Sequence, residues 1–205
     1  MAKLIVIAAP SGAGKTSLIE ALLKDSGDVE FNLSISYTTR EKRINEKDGE
    51  SYFFIDKREF EKMLKNKEFL EHAEVFGNFY GTSKSWVDEQ LKKGRNILLE
   101  LDWQGAFQVK SAYPSAVTIF IIPPSYDELE ARLNERGLDK SDVIEKRLAE
   151  AKKEIKQGQS FDFLVVNDKF EKALSDLKSL AIQNKELPKE RKAIVESHLQ
   201  ALLEE

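Results

Sequence analysis

Lys3-Leu-Ile-Val-Ile-Ala-Ala-Pro-Ser-Gly-Ala-Gly-Lys-Thr16 is the stretch that decides the fold of this 205-residue chain. Leu4 to Ala8 reads as a buried strand, Gly14-Lys15-Thr16 closes the pattern G-x-x-x-x-G-K-[ST], and Leu18, Ile19, Leu22 and Leu23 follow at helical spacing. Strand, tight turn and helix start, in that order, make a phosphate cradle. Ala9, Pro10, Ser11, Gly12, Ala13 and Gly14 supply a backbone that wraps a β-phosphate, and the helix start favours negative charge. Lys15 is placed to reach β and γ oxygens, and the Thr16 hydroxyl to ligate magnesium. A Gly-Lys-Thr tripeptide also arises by chance, but the strand before it and Gly12 inside the loop supply the context that chance does not. Ala9 stands where the pattern has its first glycine, a mismatch that matters only if that position requires φ > 0.

Composition bounds the rest. With 41% hydrophobic residues the chain can bury a proper core, and 205 residues suit one α/β domain. The net charge of −4, with both signs interspersed, gives no basic excess for nucleic acid, so any polyanion bound must be small and locally held. The absence of cysteine excludes disulfide scaffolds and thiol chemistry. No apolar run reaches bilayer length and the chain opens directly into a strand, which predicts a soluble, cytoplasmic protein without a membrane partner.

Strand-like runs at Leu4 to Ala8, Ile97 to Leu101, Val117 to Ile122 and Phe163 to Val166 alternate with helical patterns. That alternation predicts a doubly wound α/β core, a parallel sheet covered by helices on both faces. Phe31 to Ser36, Tyr52 to Ile55 and Glu68 to Phe76 have a different, short and β-rich texture and read as an insert. Tyr126 to Gln159 reads as two charged helices hinged at Arg136-Gly137. Lys185 to Glu205 reads as a polar helix with a narrow apolar stripe of Ile194, His198, Leu199 and Leu202, able to pack in cis or across subunits.

A second set of residues supplies chemistry. Arg40, Arg43, Tyr52 and Tyr80 offer two guanidinium forks and two phenols, all donors suited to a second phosphate, although singly each also reads as a surface charge or a packed ring. Glu100 and Asp102 end an apolar strand at the sheet edge where open α/β folds collect ligands, and either could hold magnesium through water. Arg132 and Arg136 share a helix face; with Arg147 they serve equally as partners of Glu128, Glu135 and Glu150. Asn167 before Asp168 can be a helix cap. His72 and His198 carry no evident chemistry, and Trp86 and Trp103 read as packing residues.

The blocks Ser34-Ile-Ser-Tyr-Thr-Thr-Arg40, Arg43, Gly49-Glu-Ser-Tyr52, Phe69-Leu-Glu71-His-Ala-Glu, Gly77-Asn-Phe-Tyr80-Gly-Thr82, Asp102-Trp-Gln-Gly105 and Val165-Val-Asn167-Asp, taken in order with the loop, closely resemble guanylate kinases from about residue 3 to 182. In that family Ala commonly replaces the first loop glycine. The resemblance implies a P-loop NTPase core (1–32, 84–125 and 160–205), a GMP-binding insert (33–83) and a helical lid (126–159) within one domain. It implies phosphoryl transfer from ATP to GMP, and to dGMP, with Mg²⁺ and with closure on binding.

By the same resemblance, Arg40, Arg43, Tyr52 and Tyr80 hold the GMP phosphate. Glu71 accepts from guanine N1–H and N2–H₂, with Ser36 at O6 and Thr82, Glu100 and Asp102 nearby. A carboxylate for two donors and a hydroxyl for O6 is a complementary set that separates guanine from adenine. Lys15, Arg132, Arg136 and Arg147 would stabilise the transferring phosphoryl group, and Asn167 would face adenine. The family often has Asp where this chain has Glu100. Two other readings stay open: a guanylate-kinase-like protein-interaction module, against which the intact Gly14-Lys15-Thr16 and lid arginines speak, and a phosphotransferase of the same core with another acceptor.

Overall fold

The computed structural model describes residues 2–135 and 141–205. Leu4–Ala8 (β1) is buried at every position, as an apolar, β-branched run must be when both faces of its sheet are covered. The chain continues through helix α1 (Lys15–Lys24), strands β2 (Phe31–Leu33), β3 (Tyr37–Thr38) and β4 (Phe53–Phe54), and helix α2 (Lys57–Lys65). Strands β5 (Phe69–Val75) and β6 (Asn78–Ser83), helix α3 (Lys84–Lys92), strand β7 (Asn96–Leu101), helix α4 (Trp103–Ala112) and strand β8 (Val117–Ile122) follow. Helices α5 (Tyr126–Glu135) and α6 (Ser141–Gln157), strand β9 (Phe163–Val166) and helices α7 (Phe170–Ala181) and α8 (Lys189–Glu204) complete it. A parallel five-stranded sheet has the order β2-β7-β1-β8-β9, and a mixed four-stranded sheet the order β4-β3-β6-β5. These are the α/β core and the β-rich insert that the sequence predicts.

The chain forms two compact units. The first comprises residues up to Val6 and Phe31–Ala116, the second Ile7–Glu30 and Val117–Glu205. The first unit joins the small sheet to the β2–β7 half of the large one because α3 packs on both β5 and β7, as does α4. Phe31–Leu33, grouped with the insert by its texture, instead pairs in parallel with Asn96–Leu98 at the edge of the large sheet. Helix α2, within the insert, is absent from the sequence reading, since Phe60 is its only buried residue and leaves no apolar stripe. Two other signals mark it: Asp56 accepts from the Glu59 N–H in an N-cap, and Phe60 stacks between Phe69 and Phe79 with centroids 4.5 and 5.5 Å away.

In the second unit β8 and β9 pair in parallel from Ile119↔Phe163 to Ile122↔Val166. Leu129, Leu133, Ile144 and Ala151 join α5 to α6. The hinge expected at Arg136-Gly137 lies outside the described residues. Helix α8 buries Arg191, Val195, Leu199 and Leu202, so its inner face is turned from the expected stripe and leaves Ile194 exposed. Among the described residues no helix is long and apolar enough to cross a membrane.

The start of β8 is held to the turn before β9 by a reciprocal bond set. Asp162 Oδ2 accepts from the Thr118 N–H and hydroxyl at 2.9 Å each, and the Asp162 N–H donates to Thr118 Oγ1 at 3.0 Å. Asp162→Ala strands a buried donor, so urea unfolding should show a loss of about 2 kcal/mol, and a loss below about 0.5 kcal/mol would mean that water replaces the carboxylate.

Candidate functional site

Helix α1 begins without a side-chain cap and without an acidic residue in its first turn. Helices α2, α3 and α4, by contrast, are each closed by a side chain, from Asp56, Ser83 and Asp102. A helix start without a side-chain cap, behind a glycine-rich loop, is the kind of N-terminus that favours a negative charge. Gly12 (φ 92°) and Gly14 (φ 88°) both adopt the left-handed region, and the Ala13 N–H donates to Pro10 O at 3.1 Å to close the turn. A Cβ on Gly12 would come within 2.9 Å of Leu129, and one on Gly14 within 2.4 Å of Asn167 Nδ2. Ala9 is not among the described residues with positive φ, so alanine is sterically admissible there and the mismatch carries no cost.

Asn167 locks this loop from the second unit's own sheet. Its Nδ2 donates to Ala13 O at 2.8 Å, its N–H to Ile122 O at 2.9 Å, and its carbonyl accepts from Arg132 Nη2 at 3.2 Å. The helix-cap reading of Asn167 is thereby replaced, since the N-cap position of α7 is Lys169, which makes no side-chain cap bond. Gly12, Gly14, Ser17, Arg132, Glu135, Asn167 and Phe170 line a cavity of ≈ 450 Å³. Phe170, at the start of α7, carried no signal in the sequence beyond an apolar residue after a strand. Arg132 also meets Glu128 at 2.9 Å, so the pairing and lid readings of this residue are not exclusive. Arg147 lies half-buried on α6 and is not among the described residues of the cavity wall. Arg136 lies outside the described residues. Lys15 and Thr16 occupy the first turn of α1, with Thr16 exposed.

In the first unit the small sheet places Glu71 on its buried face. Strand β5 alternates strictly, with Phe69, Glu71 and Ala73 inward and His72 and Glu74 outward, and a register irregularity between Phe69 and Glu71 resets the pairing opposite Thr82. Glu71 is 2% exposed, and its Oε1 has no hydrogen-bond partner. Burial, reinforced by the nearby charge of Asp102, pushes its carboxyl up to about 7 against the pull of Thr82 hydrogen bonds. Gly105, which the sequence offered only as part of a block, makes room for it, because a Cβ there would lie 2.5 Å from Glu71 Oε2. The hydroxyls of Ser36 and Thr82 are 3.4 Å apart on the same buried side. Asp102 is the α4 cap, its Oδ1 accepting from the Gly105 N–H at 2.8 Å and its Oδ2 from Gln104 Nε2 at 3.1 Å. Gln108 fixes the strand to that helix by bonding both the N–H and the carbonyl of His72.

A cluster of donors forms nearby in the same unit. Arg40 lies over the Tyr52 ring at 5.5 Å, and the Tyr52 and Tyr80 rings meet edge to face at 5.9 Å. Burial, with Glu100 and Tyr80 adding to it, pushes the Tyr52 phenol up to about 12, so it remains a donor. Glu46, unmarked in the sequence reading, clips the loop: one oxygen takes Arg40 Nη2 at 2.6 Å and the other the Arg43 N–H at 2.8 Å. Burial opposes the charge on both Arg40 and Glu46, but their mutual bond wins, raising the guanidinium and lowering the carboxyl. The Arg43 side chain itself is exposed.

A left-handed two-glycine turn opening an uncapped helix behind a buried parallel strand defines a phosphate-loop nucleotide-binding protein. The family model described as guanylate kinase matches residues 1–184. A guanylate kinase of Vibrio parahaemolyticus is 47% identical over 202 residues, covering 98% of each chain. One of Dechloromonas aromatica is 52% identical over 177 residues, covering 86% of this chain and 87% of its own. The crystal structure of a guanylate kinase from Anaplasma phagocytophilum superimposes with a TM-score of 0.71 at 31% identity, covering 98% of this chain and 94% of that one. The chain belongs to the guanylate kinase family.

Glu71 makes stability depend on pH with a defined sign. Its folded carboxyl titrates near 7 instead of 4.5, so the folded state binds the extra proton in that window and stability falls as pH rises through it. The groups pulled downward, such as Glu46 and Asp168, act below that window. Melting should therefore occur at higher temperature at pH 5.5 than at pH 8. Glu71→Gln should remove that slope and stabilise the free protein at pH 8 by on the order of 3 kcal/mol; an unchanged slope would show that the carboxylate is neutralised by another group.

Proposed function

We propose that this chain transfers the γ-phosphoryl group of ATP to GMP, giving ADP and GDP, and that dGMP is also an acceptor. One observation carries the choice of acceptor: a buried carboxylate oxygen, Glu71 Oε1, without a partner on a face shared with two hydroxyls. Such an atom is costly to bury and is suited to a ligand that brings donors, as the N1–H and N2–H₂ edge of guanine does. Adenine would present an acceptor at N1 and leave the carboxylate unpaired. Ser36 would donate to O6, with Thr82 and Asp102 holding the surroundings in place.

The phosphate of GMP would be held by Arg40, Arg43, Tyr52 and Tyr80. The donor cluster around Arg40 supports that reading, because Glu46 already preorganises the guanidinium. The triphosphate would lie on the loop from Ala9 to Thr16, with Lys15 across its β and γ oxygens and Asn167 toward the adenine side. Arg132, Arg136 and Arg147 would place positive charge on the transferring group and help to exclude water. The accepting phosphate oxygen is already nucleophilic, so positioning and electrostatics dominate and no general base is required.

The donor atoms present suit magnesium, since the Thr16 hydroxyl and the carboxylates of Glu100 and Asp102 are hard oxygens. No group of three or more His, Asp or Glu able to hold a metal occurs among the described residues, which fits an ion bound largely by phosphate oxygens. Magnesium, when bound with ATP, would neutralise charge on the β and γ phosphates, and the Thr16 hydroxyl would hold it. We place the reaction in the cytoplasm, where both nucleotides are available.

A coupled assay of ADP release with GMP, dGMP, AMP, UMP and TMP tests this reading, with GMP and dGMP expected to be used and the others rejected. Turnover on another acceptor alone, or none at all, would replace it with one of the other readings of the same core. In that assay Lys15→Ala should lower kcat about 10³-fold. Glu71→Ala should raise KM for GMP about 100-fold while moving that for ATP less than about threefold; equal losses for the two substrates would remove Glu71 from base recognition.

A further inference from the structure

The family match ends at residue 184, and helix α8 follows it. On the buried face of that helix stands a guanidinium. Arg191 is 6% exposed, its Nε donates to Asp176 Oδ2 on α7 at 2.6 Å, and its Nη2 points to Asp168 Oδ1 and Val166 O at 3.4 and 3.5 Å. Nη1 is buried without a partner. Burying an ion pair with one donor unpaired is a poor way to attach a helix, since apolar side chains of the same volume commonly do as well or better. The placement of the charge therefore calls for a different account.

Val166 and Asp168 are the two residues flanking Asn167. Asn167 in turn bonds the phosphate-loop carbonyl of Ala13 through its side chain, β8 through its N–H and Arg132 through its own carbonyl. Arg191 thus clamps both sides of a residue that ties the loop to an arginine of the cavity wall. Two further bonds hold the far end of the same helix to the helical pair beside that wall: the Tyr126 hydroxyl donates to Leu202 O at 3.0 Å and Lys152 Nζ to Glu205 O at 3.3 Å.

We infer that Arg191, in the helix after the matched family region, is a positioning residue for the ATP half of the site, acting through Val166 and Asp168 to hold Asn167 against the phosphate loop. This rests on the reading of that loop as the ATP site. Arg191 touches no substrate in this scheme. All the residues involved belong to the second unit, so its loss should weaken ATP and spare GMP.

The test combines calorimetric titration of the full chain with ATP in the absence of GMP and steady-state kinetics with each substrate varied. Arg191→Met should weaken ATP binding about tenfold and leave KM for GMP within about twofold. Asp168→Asn, which retains the Asp176 pair and so the attachment of the helix, should shift ATP binding in the same direction. Lys192→Ala, which breaks only the surface pair with Glu186 on the neighbouring residue, should change neither. Unaltered ATP binding in both Arg191→Met and Asp168→Asn, or equal shifts for both substrates, would overturn the inference and leave Arg191 a helix anchor. If Arg191→Met fails to fold, Asp168→Asn decides alone. A wild-type chain that binds ATP without phosphorylating GMP would refute the kinase reading while the titration still decides the role of Arg191; a wild-type chain that binds no ATP overturns both.

Discussion

The hydrogen bond from the Asn167 amide to the Ala13 carbonyl is the constraint on which the loop before α1, the proposed donor half, rests. A phosphate loop must present N–H groups inward, which turns some of its carbonyls away from the anion and toward the protein. Ala13 O is one of these, and Asn167 supplies its donor from the end of β9. The bond explains why Gly14 has no tolerance for a side chain, since the amide that serves Ala13 occupies the space a Cβ would need. Gly12 is constrained from the other side by Leu129 and Leu133, the residues that join α5 to α6. Loop conformation, helix start and cavity wall are consequently one packing problem with a single solution.

The proposed acceptor half depends on a different physical device. Its defining atom is a carboxylate oxygen withdrawn from water and given no partner, a condition that raises the carboxyl and destabilises the free protein. Gly105, Gln108 and the Asp102 cap hold the first turn of α4 close enough to β5 to keep water away from it. On the proposed reading a ligand with matching donors would relieve that condition and one without them would not, so selectivity would arise from the state of the empty site as much as from the contacts made on binding.

Much of this was legible in the sequence because it is local. The buried strand, the glycines and the helix behind them are adjacent residues whose spacing states their geometry, and β1, β8 and β9 begin and end where the apolar runs do. The inward alternation of Phe69, Glu71 and Ala73 is local too, but it emerges only with the strand's burial, and in the sequence Glu71 takes its role from the family resemblance alone. What remained hidden depends on partners far apart in the chain. Ala9 could not be judged until its backbone region was seen, and the cap reading of Asn167 stayed open beside the adenine-side one because its partner Ala13 lies 154 residues away. Strand β2 is three residues long and half-exposed, so only its pairing with β7 assigns it to the large sheet. Helix α2 escapes notice because one aromatic residue, Phe60, does the packing that a stripe does elsewhere.

Helix α8 shows how the same limitation conceals a function. A stripe sought among apolar residues selects Ile194 and Leu199, whereas the buried face runs through Arg191, Val195 and Leu199 at four-residue intervals. A charged residue at the head of that row breaks the apolar pattern and shifts the apparent face. It is buried because Asp176 and Asp168 meet it, and neither is predictable as a partner from helical periodicity. The two halves thus share one principle: each places a polar group where burial alone is unfavourable, Glu71 on the buried face of the small sheet and Arg191 between α7 and the end of β9. In the first case the proposed function supplies the missing partner from the ligand. In the second the partners belong to the chain, and what they fix is the residue on which the phosphate loop leans.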